Sequence, residues 1–208
     1  MISMKKIKKY PYREAAYRDI LGIGKVGAEF GVSHGLNAIN IWQMARPSKL
    51  YLVDPWYPVV CYQDGGLMGN VDRDPIFINH LQRYDGTYQG LVESTFDKEI
   101  NEGSVETVKT KAVDWMKSQP SDSLDFVYID TTHYLEHTYV ELEESIRVVK
   151  KDGIIAGHDF HIFLPPSVDG VFTPVLEYVN NGILDVVAMS YERINFSKFP
   201  SFFCRNTK

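Results

Sequence analysis

Residues 22–35 read GIGKVGAEFGVSHG. The first six match G-x-G-x-x-G, the spacing of a dinucleotide-binding turn, but that turn works only where the glycines follow a strand and open a helix. Here Gly22, Gly24 and Gly27 follow a helical pattern, YREAAYRDILG (12–22), and precede the short strand VGAEFG (26–31). They read as a helix C-cap and a turn, which disfavours a nicotinamide-dependent oxidoreductase. The second half of the stretch has the required context. EFGVSHG (29–35) follows a strand and opens the helical pattern HGLNAINIWQMA (34–45), ended by Pro47. Gly31 and Gly35 let backbone approach a ligand there, and the helix start offers free N–H groups.

The next strand, KLYLVD (49–54), ends in Asp54. In doubly wound nucleotide folds a carboxylate at that place accepts both hydroxyls of a ribose; the plain alternative is a strand-end Asp before Pro55 and Trp56. Residues 57–75 are rich in Gly, Asp and Pro and show no period. They read as a long loop, and such a loop is usually functional or mobile. Helical patterns follow around IFINHLQRY (76–84) and TYQGLVESTFDKEI (87–100). Then come the strand VETVKTKA (105–112), the short helix AVDWMKSQ (112–119), the strand LDFVYID (124–130) and the helix YLEHTYVELEESIRVV (134–149). GIIAGHDF (153–160) is a strand, VFTPVLEYVNNG (171–182) a helix, and LDVVAMSYE (184–192) and SFFCRN (201–206) two late strands. This order predicts an α/β, doubly wound, mostly parallel seven-stranded sheet with helices on both faces and an antiparallel edge strand.

Composition sets the outer bounds. A chain of 208 residues, 44% hydrophobic, suits a single domain, 1–208, with residues 1–22 as an N-terminal helical extension and 57–90 as a loop or lid insertion. The net charge of −5 gives no basic excess for nucleic acid, and KKIKK (5–9) reads as a solvated tail. Cys61 and Cys204 form neither a disulfide framework nor a zinc motif. With no signal-type or bilayer-spanning run, the expectation is a cytoplasmic protein without a membrane partner.

The most informative stretch lies downstream. Asp130 ends one strand, and His158 and Asp159 end the next, so in a parallel sheet they share one crevice. His133 lies three residues past Asp130. Two carboxylates and an imidazole suit a hard divalent ion such as Mg or Mn, or a site for Mn, Fe or Zn. Each residue also has an ordinary structural role open to it: Asp130 as a helix cap, His158 as a core histidine, His133 as a helix-start residue. His34, His80, His137 and His161 lack comparable company.

Taken together, VGAEFGVSHG, LYLVDPW, LDFVYIDTTHYLEHTYVEL and KKDGIIAGHDF resemble class I S-adenosylmethionine-dependent methyltransferases, closest to the family 24 and macrocin-type O-methyltransferases, from about Val26 to Phe160. The resemblance implies a Rossmann-like methyltransferase fold. It places Glu29, Gly31, Ser33 and Gly35 at the methionine part of S-adenosylmethionine, Asp54 at the ribose, Pro55 and Trp56 beside the adenosine, and Ala112 and Val113 against the adenine. It places Asp130, His158 and Asp159 on the metal ligands and His133 on the general base. Three positions depart from the family pattern. Ser33 replaces the middle glycine of the turn, only backbone is available at Ala112 for the adenine amino group, and His158-Asp159 stands where the family has two acids. The implied function is divalent-metal-assisted O-methylation of a small molecule or sugar, with Mg or Mn beside the methyl donor. The alternatives are a metal-assisted, hydroxylase-like relative or a non-catalytic cofactor-binding module. Loop 57–75, with Tyr57, Tyr62, Asp64 and Asp72, reads either as a lid over the acceptor or as a disordered surface excursion, and 57–90 with HIFLPPSVDGVF (161–172) is the expected acceptor pocket. Expected partners are the acceptor and, for quaternary structure, further copies of the chain.

Overall fold

A computed structural model describes residues 7–56, 87–160, 170–191, 193–194, 197–198 and 200–208. In chain order the elements are β1 (Lys8–Tyr10), α1 (Glu14–Ile20), β2 (Val26–Phe30), α2 (Leu36–Ala45), β3 (Lys49–Asp54), α3 (Tyr88–Thr95), α4 (Asp97–Asn101), β4 (Val105–Lys109), α5 (Ala112–Ser118), β5 (Leu124–Ile129), α6 (Leu135–Val148), β6 (Val149–Gly157), α7 (Phe172–Asn180), β7 (Leu184–Ser190), β8 (Arg193–Ile194), β9 (Ser197–Lys198) and β10 (Phe202–Asn206). The loop at 57–75, the pattern around 76–84 and residues 161–169 lie outside the described residues. The described end of the 57–90 span is helix: Thr87 caps α3, its hydroxyl accepting the Gly90 N–H at 3.0 Å.

Strands β2, β3 and β5 are apolar on both parities because both of their faces are covered. On one face Leu50, Leu52, Phe126 and Tyr128 pack with α1 and α2 through Ala16, Tyr17, Ala38 and Ile41. On the other, Phe30, Val53, Val127 and Ile129 pack with α5, α6 and α7 through Met116, Leu142 and Val175. This is the doubly wound arrangement.

The sheet runs β1-β7-β10-β6-β5-β2-β3-β4, so it has eight strands rather than seven. The extra strand is β1, parallel to β7 with Lys8 opposite Ala188. The basic run expected to be a tail is thus partly an edge strand, whose exposed Lys8 and Lys9 are residues an open edge tolerates. The antiparallel strand β10 is not at the edge. It lies between β6 and β7, antiparallel to both. Its sequence explains why: Phe202, Phe203, Cys204 and Asn206 are all buried, which needs cover on both faces. β6 begins directly after α6, and the register jump from Leu124↔Val149 to Phe126↔Ile154 makes the VKKD segment (149–152) a bulge, with Asp152 at φ 62°.

These connections bring the carboxyl ends of β2, β3, β5 and β6 to one side. The strand order reverses between β2 and β5, and open α/β sheets bind ligands in the crevice at that point.

Candidate active site

The β2–α2 turn is built from positive-φ residues: Gly31 at 85°, Ser33 at 51° and Gly35 at 85°. Gly31 is required twice over. Its φ is left-handed, and a Cβ there would collide with the Asp130 carbonyl. Ser33 adopts the left-handed conformation that a glycine would take freely, and neighbours hold it there. Its N–H donates to Asp54 Oδ2 at 2.9 Å, and its carbonyl accepts the Trp56 indole N–H at 2.9 Å. Asp54 Oδ1 accepts the Trp56 backbone N–H at 2.6 Å. Burial raises the Asp54 pKa, with the Ser33, Trp56 and Val32 N–H groups pulling the other way. A carboxylate has about four acceptor directions, so these N–H groups leave it capacity for a further donor. The Thr110 N–H donates to the Asp54 carbonyl at 3.2 Å, which ties the segment opening α5, with Ala112 and Val113, to the same end of the sheet. Pro55 continues this rim.

Glu29 stands at the end of β2, 1% exposed. Its Oε1 accepts Asn37 Nδ2–H at 3.0 Å, while Oε2 has no hydrogen-bond partner among the described residues. Burial pushes its pKa up to about 8, against the Asn37 hydrogen bond and with help from the Asp130 charge.

The downstream residues do converge. His133, at φ 56°, turns Nε2 back to 3.3 Å from Asp130 Oδ1 and 3.4 Å from Asp159 Oδ2. His158 Nδ1 lies 3.0 Å from Asp159 Oδ2 and 3.8 Å from Asp130 Oδ1. Asp130, His133 and Asp159 each offer a donor atom within 4.8 Å of the others, a set that fits a divalent ion. His158 stands beside this set, hydrogen-bonded to Asp159. Burial lowers the His133 pKa, but the Asp130 hydrogen bond and the Asp159 and Asp130 charges outweigh it and leave the imidazole above its ordinary value.

Three site residues are absent from the sequence reading. Arg13, at the start of α1, places Nη1 3.3 Å from Asp130 Oδ2 and 3.2 Å from the Tyr128 hydroxyl. Asp130 therefore divides its oxygens, one to Arg13 and one to the His133 cluster. The partners are 117 positions apart, so no spacing rule could pair them. Asn37 is hidden inside an otherwise ordinary amphipathic helix. Glu141 reads as one of several surface acids of α6, yet it is 6% exposed and accepts from Thr131 Oγ1 at 2.8 Å. Its signal was the 3-4 spacing of Thr138, Glu141, Leu142 and Ser145, all on the buried side.

A parallel sheet reversing between β2 and β5, with a glycine turn ending one strand and a buried acid ending the next, is the architecture of class I S-adenosylmethionine-dependent methyltransferases, and the comparisons with known proteins agree. A family model described as a methyltransferase domain, of the family 24 type, matches residues 28–160, and the chain belongs to that family of enzymes. No curated protein matches the chain by sequence. Among solved structures, the N-methyltransferase NodS from Bradyrhizobium japonicum is similar with a TM-score of 0.60 at 12% identity, over 94% of this chain and 95% of that one. TrmK of M. capricolum, solved with S-adenosylhomocysteine, is similar at 0.60 and 12%, over 95% and 69%. A SAM-dependent methyltransferase from Aquifex aeolicus is similar at 0.54 and 16%, over 90% and 85%. At these identities the likeness is one of fold. No helix among the described residues is long and apolar enough to cross a membrane.

Proposed function

We propose that the protein is an S-adenosylmethionine-dependent O-methyltransferase, assisted by a divalent ion, that acts on a hydroxyl of a small molecule or sugar. One observation carries this reading: Asp130, His133 and Asp159 bring two carboxylate oxygens and an imidazole nitrogen together beside the β2–α2 turn. A bound ion would lower the pKa of an acceptor hydroxyl and fix its oxygen. Asp130 and Asp159 would hold it, with His158 as a third donor or as the group behind Asp159. Glu29, Gly31, Ser33 and Gly35 would take the methionine part of the donor, Asp54 the ribose, Pro55 and Trp56 the adenosine edge, and Ala112 and Val113 the adenine.

His133 Nε2 takes the proton of the acceptor hydroxyl. The acceptor oxygen then attacks the sulfonium methyl in line. Bound S-adenosylmethionine would supply that methyl, the O–C bond forming as the S–C bond breaks and S-adenosylhomocysteine being the leaving group. A second reading makes His133 an ion ligand, and it is favoured by the three donor atoms lying within 4.8 Å. The two roles of Nε2 exclude each other, and His133→Ala separates them. As base, its loss slows single-turnover methyl transfer by ~10²–10⁴-fold while Mn(II) affinity, read by electron paramagnetic resonance, is unchanged. As ligand, its loss lowers both. Full activity after rigorous chelation, with no metal by elemental analysis, would remove the ion from the reading. A product methylated on nitrogen or carbon would remove O-methylation.

A further inference from the structure

α1 lies outside the matched stretch 28–160, yet its Tyr17 is joined to Glu29 through Asn37. The fully buried Tyr17 donates its hydroxyl to Asn37 Oδ1 at 2.6 Å, and Asn37 passes the contact on to Glu29 Oε1 through Nδ2 at 3.0 Å. The far oxygen of Glu29, Oε2, is buried without a partner among the described residues, beside the turn at 31–35. A buried carboxyl oxygen in that state lacks a partner, and a cationic donor placed against it would stabilise the ionised form that burial alone disfavours. The amino-acid end of the methyl donor carries an ammonium, which is a donor and a cation at once.

The order of the two hydrogen bonds matters. The two ends of an amide differ: oxygen only accepts and nitrogen only donates. Tyr17 keeps its proton, since burial pushes the phenol well above its usual range. With that proton directed at Oδ1, it holds the amide oxygen toward α1 and leaves the NH2 facing Glu29. The Tyr17 ring cannot shift to follow another amide orientation. It is wedged edge-on against Tyr128 at 5.7 Å and against Phe203 at 6.2 Å. Tyr128 is in turn held by Arg13 and by Ser201, 3.2 and 3.0 Å from its hydroxyl. Without the Tyr17 hydroxyl, Oδ1 loses its donor, and the amide can turn Oδ1 to Glu29, lone pair against lone pair once that group is ionised to receive an ammonium.

We infer that Tyr17 and Asn37 are positioning residues that set the Glu29 carboxylate to receive the ammonium of the methyl donor's amino-acid end. This rests on the proposed place of Glu29 at the methionine part. Two probes test it by calorimetric titration: S-adenosylhomocysteine, and 5′-methylthioadenosine, which keeps the nucleoside and sulfur but lacks the amino acid. Tyr17→Phe keeps the ring and loses only the hydroxyl. It is expected to weaken S-adenosylhomocysteine about 3–10-fold, the worth of one hydrogen bond, and to leave 5′-methylthioadenosine within about twofold. Asn37→Ala, which leaves the Tyr17 packing in place, should weaken S-adenosylhomocysteine further. Because Tyr17 acts through Asn37, the double variant should bind no worse than Asn37→Ala alone. Equal weakening of both probes, no weakening of either, or additive losses in the double variant would each overturn the positioning role. A parent protein that binds both probes equally well would instead remove Glu29 from the amino-acid end, and the inference with it.

Discussion

Glu29 is neutral in the ligand-free fold over a range where a free acid is ionised. Its pKa stands at about 8, against 4.5 for the ordinary group. Between those values the folded protein holds a proton that the unfolded chain has released, so stability is full at the acid end and falls as pH rises through the window. The melting temperature of the ligand-free protein should decline across it, and Glu29→Gln should flatten that slope in scanning calorimetry. An unaltered slope in the variant would mean that Glu29 is already charged in the fold. Asp54 makes a different prediction. It serves its own turn through Ser33 and Trp56, and the proposed function adds a ribose to its partners. Two charge-assisted hydrogen bonds of ~1.5–3 kcal/mol each predict that Asp54→Ala weakens S-adenosylhomocysteine by at least about 100-fold. Unchanged affinity in the folded variant would end the ribose assignment. Asp54 and the turn were legible in the sequence because strand, glycine and acid follow one another within one β-α-β unit. Arg13 and the Tyr17–Asn37 contact were not, because they are set by packing between distant segments.

At the scale of elements, β2, α2, β3, β5 and the end of β6 carry most of the candidate site, and their apolar runs and turn residues show in the sequence. The errors fall where local pattern is a weak guide. Three residues of β1 cannot declare themselves as a strand before β7 is there to pair with them. SFFCRN is apolar on both parities, which was readable as an interior strand, but its short connection to β7 suggested an edge. The β2–α2 turn gives the sharpest test at this scale. Gly31→Ala faces a left-handed φ, which costs an L-residue ~1–2 kcal/mol, and a clash with the Asp130 carbonyl as well. Relief of the clash must move the turn or the end of β5. The variant should therefore lose S-adenosylhomocysteine affinity and also bind Mn(II) more weakly, although Gly31 has no side chain to touch either. Calorimetry for the nucleoside and paramagnetic resonance for the ion would read the two effects. Loss of one with the other fully intact would show that the turn and the strand end are not mechanically joined.

Across the whole molecule, the β2–α2 turn and the acidic cluster sit at neighbouring strand ends, with Asp54 and Asp130 ending the strands on either side of β2. Asp130 raises the Glu29 pKa, and Arg13 and His133 counter the Asp130 charge in the ligand-free fold. A divalent ion between Asp130 and Asp159 would add positive charge where two acids meet and bind the folded chain alone, since these residues are far apart in an unfolded one. Mass action then raises stability with ion concentration, by ~2.7 kcal/mol at one hundred times the dissociation constant. For a chain of this size that is a rise of roughly 5–10 °C in the melting temperature. The rise should appear with Mn(II) or Mg(II), vanish with a chelator, and be absent in the Asp130→Asn/Asp159→Asn double variant. That variant has its own base stability, so the quantity to compare is the shift on adding ion. The ion should also tighten S-adenosylhomocysteine, and the nucleoside should tighten the ion by the same factor, because coupling between two bound ligands is reciprocal. A parent protein whose melting curve is the same in chelator and in millimolar Mn(II) or Mg(II) would leave the two acids to Arg13 and the histidines, as a fixed ion-pair network that shapes the acceptor side of the crevice.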